Sequence, residues 1–262
     1  MTRKVGMMDL DKAKMIIEEG LAYKPSMGFN LNGLGEPLLY KWMPEVLQHI
    51  QDCGGTHVDF FTSLKAPDTL VERIFDKLSS LNLNVMLAIT KHIYDQHGGD
   101  NLDLEQFERN FHRAMALPSG IDKNIAMIAT RYHKVETLET FKAHYEQYLP
   151  PSQVHVIRSL NPWFNTVADM AHPDFGPQPS ELKKTICDYP FILLHVVWDG
   201  AVLVCCTDDI SGELKLGKIE KPGDLKRIWE SEEYQELRRK HNAFDIDMAP
   251  CNKCERTAWA RL

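Results

Sequence analysis

The chain has 262 residues, 44% of them hydrophobic, and 37 acidic against 30 basic side chains give it a net charge of −7. That length and apolar content can bury a full core and carry one large domain, or a large and a small one, which excludes a disordered tail. The acidic balance, with no Lys/Arg block, argues against nonspecific binding to nucleic acid or to an anionic membrane. Residues 1–6 lead into a charged amphipathic stretch with no signal-peptide pattern. The longest apolar run, 189–198, is interrupted by His195 and too short to span a bilayer. The expected location is the cytoplasm, where thiols stay reduced.

Helical periodicity opens the chain, with Leu10, Ala13, Ile16, Ile17 and Leu21 on one face and Asp9 as N-cap. Short β-rich runs follow near Met27–Asn32, His57–Thr62, Asn84–Ile89, Asn124–Thr130 and Gln153–Ser159. Amphipathic helices separate them near Pro44–Cys53, Thr69–Ser80, Leu104–Met115 and Glu136–Tyr148. Alternation at this spacing predicts a parallel sheet with right-handed crossovers, either doubly wound or curled into a barrel.

Residues 161–184 change character, with Pro162, Pro173, Pro177 and Pro179, and read as a connecting segment. This divides the chain into residues 1–160, the connector, and a unit at 185–262. In that last unit Phe191–Trp198 and Ala201–Cys206 flank Asp199-Gly200, the pattern of a hairpin with a two-residue loop. Asp224 is the expected cap of a helix through Trp229, and Glu232–His241 continues helically.

Five of the six cysteines lie from Cys187 onward, and Cys251-Asn252-Lys253-Cys254 is a Cys-x-x-Cys. Such a turn brings two thiolates to one metal centre, and Cys187 with Cys205 can complete a four-sulfur site holding zinc or an iron–sulfur cluster. The plain alternative makes Cys187 and Cys205 small buried residues. Consecutive strand side chains point to opposite faces, so Cys205 and Cys206 cannot both serve one centre. One of the two is therefore a bystander, as is the remote Cys53.

A second constellation spans Asn30-Leu31-Asn32-Gly33-Leu34-Gly35-Glu36-Pro37-Leu38-Leu39. Alternation sets Gly28, Asn30 and Asn32 on one face at the carboxyl end of a strand, where parallel α/β proteins build their sites. Gly33 and Gly35 allow close backbone approach to a ligand, and Glu36 can accept hydrogen bonds from an ammonium group. The same residues also describe a sharp turn with Pro37 opening a helix and Glu36 at its positive end.

Together these residues resemble the radical SAM superfamily, whose members use a [4Fe–4S] cluster to cleave S-adenosylmethionine and generate a carbon radical. The run from Gly33 to Leu39 resembles the segment that binds the amino group of S-adenosylmethionine. The tail resembles a SPASM/twitch extension, in which Cys187, Cys205 five residues beyond Gly200, Cys251 and Cys254 hold an auxiliary cluster. Leu216-Gly217-Lys218-Ile219, followed by Leu225, Ile228-Trp229 and Leu237-Arg238, fits that extension as well. By family position Thr90 and Arg131 meet the ribose and carboxylate of the cofactor. Thr62-Ser63-Leu64 stands where relatives often carry Thr-Asn-Gly, a departure.

The superfamily's Cys-x3-Cys-x2-Cys is not in this sequence, where Cys53 alone precedes Cys187. Family barrels have six strand-helix units, whereas five strands are read here. One strand and its loop, about 20–30 residues, are thus expected to be missing, through a shortened amino terminus or a degenerate relative. The resemblance implies a partial (β/α)6 radical SAM barrel lacking its first strand, then a small α+β SPASM-like iron–sulfur domain. It implies an auxiliary [4Fe–4S] cluster and S-adenosylmethionine as cofactors. It further implies a peptide or small-molecule substrate and a reductant protein such as a flavodoxin or ferredoxin, with no nucleic-acid or membrane partner. A non-catalytic zinc- or cluster-binding module, or a relative that depends on a partner chain, is the rival reading.

Overall fold

Burial alternates along the central strands and so gives the sheet one covered face and one open face. In β2 (His57–Thr62) the buried residues are Val58, Phe60 and Thr62; in β3 (Asn84–Lys91) they are Val85, Leu87 and Ile89; in β4 (Asp122–Ile128), Lys123, Ile125 and Met127. The computed structural model describes residues 6–32, 35–91, 104–128, 135–157, 187–205, 214–248 and 251. By contacts these residues form two units, 24–157 and the combination of 6–23 with 187–251.

The first unit is a five-stranded parallel sheet in the order β1 (Phe29–Asn30), β2, β3, β4, β5 (Val154–Ile157). A sequential order decides between the two architectures read from the sequence. A doubly wound sheet reverses its strand order to put helices on both faces, whereas uniform right-handed crossovers put every helix on one face. The helices α2 (Met43–Asp52), α3 (Asp68–Ser80), α4 (Leu104–Met115) and α5 (Val135–Tyr145) form that layer, α2 packing on α3 and α3 on α4. Each presents an apolar stripe, such as Val71, Ile74, Phe75 and Leu78 on α3, spaced for one face of a 3.6-residue helix. Full burial of each such side chain contributes about 1.5–3 kcal/mol, so the helix layer, not strand propensity, holds the sheet.

Lys123 interrupts the buried side of β4 without being stranded there. Its Nζ donates to the carbonyls of Leu117, Pro118 and Ile121, each at 3.1 Å, and burial pushes its pKa down.

The element boundaries follow the sequence closely at β2 and α4. The first strand is shorter than the expected Met27–Asn32: only Phe29 and Asn30 enter the ladder, with the Leu31 N–H donating to the Asp59 carbonyl at 2.8 Å. Gly28 lies under the His57 ring, where a Cβ would come within 3.1 Å.

In the second unit α1 (Leu10–Tyr23) joins elements far away in sequence, although it precedes the sheet. Asp9 caps it as expected, its carboxylate accepting from the N–H groups of Asp11 (3.0 Å) and Lys12 (3.2 Å). Met15 and Ile16 pack on the apolar cluster of Val202, Val204, Ile219, Leu225, Ile228, Tyr234 and Leu237. Lys12 donates to the Asp199 carbonyl at 3.0 Å, and Tyr23 to Glu230 at 3.2 Å.

The remaining elements are α6 (Tyr189–Ile192), an antiparallel sheet of β6 (His195–Val196), β7 (Ala201–Leu203) and β8 (Lys215–Lys218), then α7 (Asp224–Trp229) and α8 (Glu232–Ala243). Three local expectations are corrected. Phe191 and Ile192 lie in a helical turn opened by Pro190, not in a strand. The hairpin loop has three residues, Trp198-Asp199-Gly200: Val197 N–H bonds the Ala201 carbonyl, and Gly200 takes φ +90° to return the chain. Asp224 is the first residue of α7 rather than its cap. Its carboxylate reaches back to the N–H groups of Glu220 and Lys221, both at 3.0 Å, because Gly223 at φ +91° holds the cap position.

Gly200→Ala tests the hairpin. The new methyl would meet the Ile219 carbonyl in a backbone conformation that side chains rarely adopt, so stability should fall by about 2 kcal/mol or more, read as a lower unfolding midpoint.

Candidate metal centre and ligand turn

Cys205 and Cys251 lie in the same apolar cluster, 8% and 9% exposed, and both are thiols rather than disulfides. Cys205 follows directly on β7 and Val204, so the hairpin delivers its sulfur into the core. Burial raises the Tyr234 hydroxyl pKa; Arg238 opposes that shift and Cys205 adds to it, which sets the thiol near the phenol.

Cys187 is half-buried at the start of the segment leading into α6, and α8 pins that segment. Arg238 donates through Nε to the Pro190 carbonyl at 2.9 Å and through Nη1 to the Trp229 carbonyl at 3.0 Å. The Tyr234 hydroxyl donates to the Leu193 carbonyl at 2.9 Å. The guanidinium also lies against both Trp229 and Tyr234, 4.1 and 4.4 Å from ring centres that are themselves 5.0 Å apart. Spacing along the sequence gave no hint that Arg238 and Tyr234 fix the Cys187 segment.

Among the described residues, the sulfurs of Cys187, Cys205 and Cys251 do not form a set within 4.8 Å of one another. Cys254, and Cys206 with the alternation argument made for it, lie outside the described residues. Cys53 ends α2 in the sheet unit, its sulfur 3.5 Å from Nε2 of His49.

At the carboxyl ends of β1 and β2, Glu36 opens a 3-10 turn, Pro37–Leu39. Its Oε1 accepts from Leu38 N–H (3.1 Å) and the Thr62 hydroxyl (2.5 Å), and its Oε2 accepts from Ser63 N–H (2.8 Å) and the Ser63 hydroxyl (2.6 Å). A carboxylate has about four acceptor positions, and here protein donors occupy them. Glu36 therefore ties the turn after β1 to the end of β2. Gly35 has open space within 4 Å of where a side chain would project, so packing is not what places a glycine there.

Leu64 keeps the φ +56° conformation that a glycine adopts freely, and Asn110 holds this loop by donating to the Leu64 and Ala66 carbonyls at 3.0 and 3.1 Å. Strained backbone of this kind clusters at functional sites. Thr90 is half-buried near the end of β3, paired with Ala126 on the open face, while Gly33 and Arg131 lie outside the described residues. Asn30, Asp59 and Asn124 share the open face with Phe61, Met86, Ala88 and Ala126, so it is polar at Asn30, as the alternation there suggested, and mixed further along the sheet.

Sequence reading missed one further polar group. Lys91 bonds Glu108 at 2.9 Å and the Tyr145 hydroxyl at 2.5 Å, and Tyr145 bonds Glu108 at 2.6 Å. Burial opposes ionisation of Glu108, yet bonds from Tyr145 and Lys91 hold its pKa below the usual value. Lys91 continues the helix-facing side of β3, so this group locks α4 and α5 to the sheet.

Asp224 gives the cluster unit a pH signature. Hydrogen bonds from Glu220 and Lys221 N–H and from Arg227 hold its pKa at about 2, below the ordinary 3.8. Its stabilisation is complete above pH 3.8 and is lost as pH falls towards 2. Asp224→Asn should lower the melting temperature at neutral pH and shrink that difference across the acid window, as followed by thermal melts.

Residues 187–255 match the model of the SPASM iron–sulfur cluster-binding domain. No curated protein matches the sequence significantly. Among solved structures, BtrN in complex with AdoMet and 2-DOIA is 15% identical, with a TM-score of 0.58 over 96% of this chain and 82% of that one. Native anSMEcpe with bound AdoMet and Kp18Cys peptide is 14% identical, with a TM-score of 0.60 over 98% and 81%. At these identities the likeness is one of fold. The chain has the fold of radical SAM proteins and carries a SPASM iron–sulfur cluster-binding domain over residues 187–255.

Proposed function

We propose that this protein is a radical SAM/SPASM enzyme that binds S-adenosylmethionine and modifies a peptide or small-molecule substrate. Cys187, Cys205, Cys251 and Cys254 are the proposed ligands of an auxiliary [4Fe–4S] cluster. The observation that carries the reading is the SPASM match across all four cysteines on a chain of which 96–98% aligns with structures of radical SAM fold. The matched model is that of an iron–sulfur cluster-binding domain, which favours a cluster over zinc. The structures of similar fold hold a peptide in one case and 2-DOIA in another, so both substrate classes stay within the proposal.

When bound, the cluster supplies one-electron redox chemistry to a substrate held beside it. This chain's residues do the positioning. The run from Gly33 to Pro37, with Thr90 and Arg131, is the proposed seat of S-adenosylmethionine. Because Glu36 spends its carboxylate on Thr62, Ser63 and Leu38, its proposed part is to shape that turn, whose backbone then meets the ligand's ammonium. The 262 residues contain no Cys-x3-Cys-x2-Cys. Four thiolates leave no iron open to the amino and carboxyl groups of S-adenosylmethionine, so cleavage needs a three-cysteine cluster beyond these residues.

After anaerobic reconstitution with iron and sulfide, Ser in place of Cys187, Cys205, Cys251 or Cys254 should each lower bound iron, while Ser at Cys206 or Cys53 leaves the cluster absorption unchanged. Glu36→Ala should weaken S-adenosylmethionine binding at unchanged iron content. The 262-residue chain should release no 5′-deoxyadenosine with dithionite. Iron loss on changing Cys206 but not Cys205 would reverse the ligand assignment, and stoichiometric 5′-deoxyadenosine would show an open iron.

A further inference from the structure

The inward face of α8 carries more nitrogen donors than the described protein uses. Tyr234, Leu237, Arg238 and His241 recur at i, i+3, i+4 and i+7 and so form one stripe. Tyr234 and Leu237 are part of the apolar cluster that also contains Cys205 and Cys251. His241 continues the stripe one turn on and is 1% exposed, yet among the described residues neither ring nitrogen has a hydrogen-bond partner. Arg238 has the same surplus: Nε and Nη1 are satisfied by carbonyls, while the buried Nη2 is not.

Buried polar groups without partners are rare in folded proteins, and each calls for a reason. An apolar side chain at 241 would fill the same space without an orphaned N–H. Burial pushes the His241 pKa down, so the ring is neutral and keeps one N–H donor. Two unsatisfied donors on the helix face whose Tyr234 and Leu237 share a core with Cys205 and Cys251 call for an acceptor with negative charge. A cluster held by four thiolates is such an acceptor, because its sulfurs take N–H hydrogen bonds and these set its potential.

Resting on the ligand assignment above, we infer that His241 is a positioning residue that donates its ring N–H to a sulfur of the auxiliary cluster, and that this bond raises the cluster's reduction potential. Arg238 Nη2 supplies a second donor from the same face. In the free protein the imidazole is held ready for the cluster. On loading, its orphaned N–H gains the sulfur as acceptor.

The test compares the full chain with His241→Phe, which keeps a ring in the core but removes the N–H, and with His241→Gln, which keeps a donor. Each is melted before reconstitution, and its cluster is then titrated by redox spectroscopy. For His241→Phe the expected result is an unchanged or higher melting temperature without cluster, together with a potential lowered by at least about 59 mV, a tenfold change in a one-electron equilibrium. His241→Gln should recover part of that shift. Failure of His241→Phe to hold iron, with an unchanged metal-free melt, supports the same contact. A lower metal-free melting temperature with an unchanged potential, or with lost iron, makes His241 a core residue and overturns the inference. Absence of iron from the unsubstituted chain refutes the ligand assignment instead.

Discussion

Thiolates repel one another, and a buried set of them holds together only around metal charge. On the proposed ligand assignment, the C-terminal unit must bring three separate stretches of chain to one place by other forces. Helix α8 does this with its inward stripe. Tyr234 and Arg238 hold the segment after Cys187 through the carbonyls of Leu193 and Pro190, and Leu237 packs in the apolar cluster with Cys205 and Cys251. Contact of the guanidinium with both Trp229 and Tyr234 limits its freedom, so its hydrogen bonds cost little extra ordering. Remote α1 completes the wall with Met15 and Ile16 and steadies the hairpin turn through Lys12.

The sheet unit answers a different demand. Its helices cover one face and leave the other to Asn30, Asp59 and Asn124 beside Phe61 and Met86, side chains that a doubly wound fold would bury. At the carboxyl ends Glu36, Thr62 and Ser63 join two strand-end turns, and Asn110 clamps the Leu64 conformation. For the proposed site, the backbone fixed at Glu36 and Leu64 reduces the ordering cost of binding a ligand.

Much of this was legible in the sequence because periodicity reports burial. The runs His57–Thr62 and Leu104–Met115 coincide with β2 and α4, and the alternation at Asn30 marks the open face. The cysteine pattern and its Asp-Gly hairpin pointed to the SPASM domain that the family model matches. What stayed hidden depends on long-range partners. Phe191 and Ile192 have strand propensity, but Pro190 starts a helical turn whose carbonyls Arg238 and Tyr234 take up. The role of Glu36 turned on Thr62 and Ser63, 26 and 27 residues away. His241 looked like one histidine among eleven until its burial without a partner set it apart.

The proposed ligation of an iron–sulfur cluster by the four cysteines of the C-terminal unit can be read from X-ray absorption at the iron and zinc edges on anaerobically purified, unreconstituted protein. Iron ringed by sulfur with a second shell of neighbouring iron atoms is the expected result. Zinc bound by four sulfurs at about 2.3 Å, with no such shell, would contradict it.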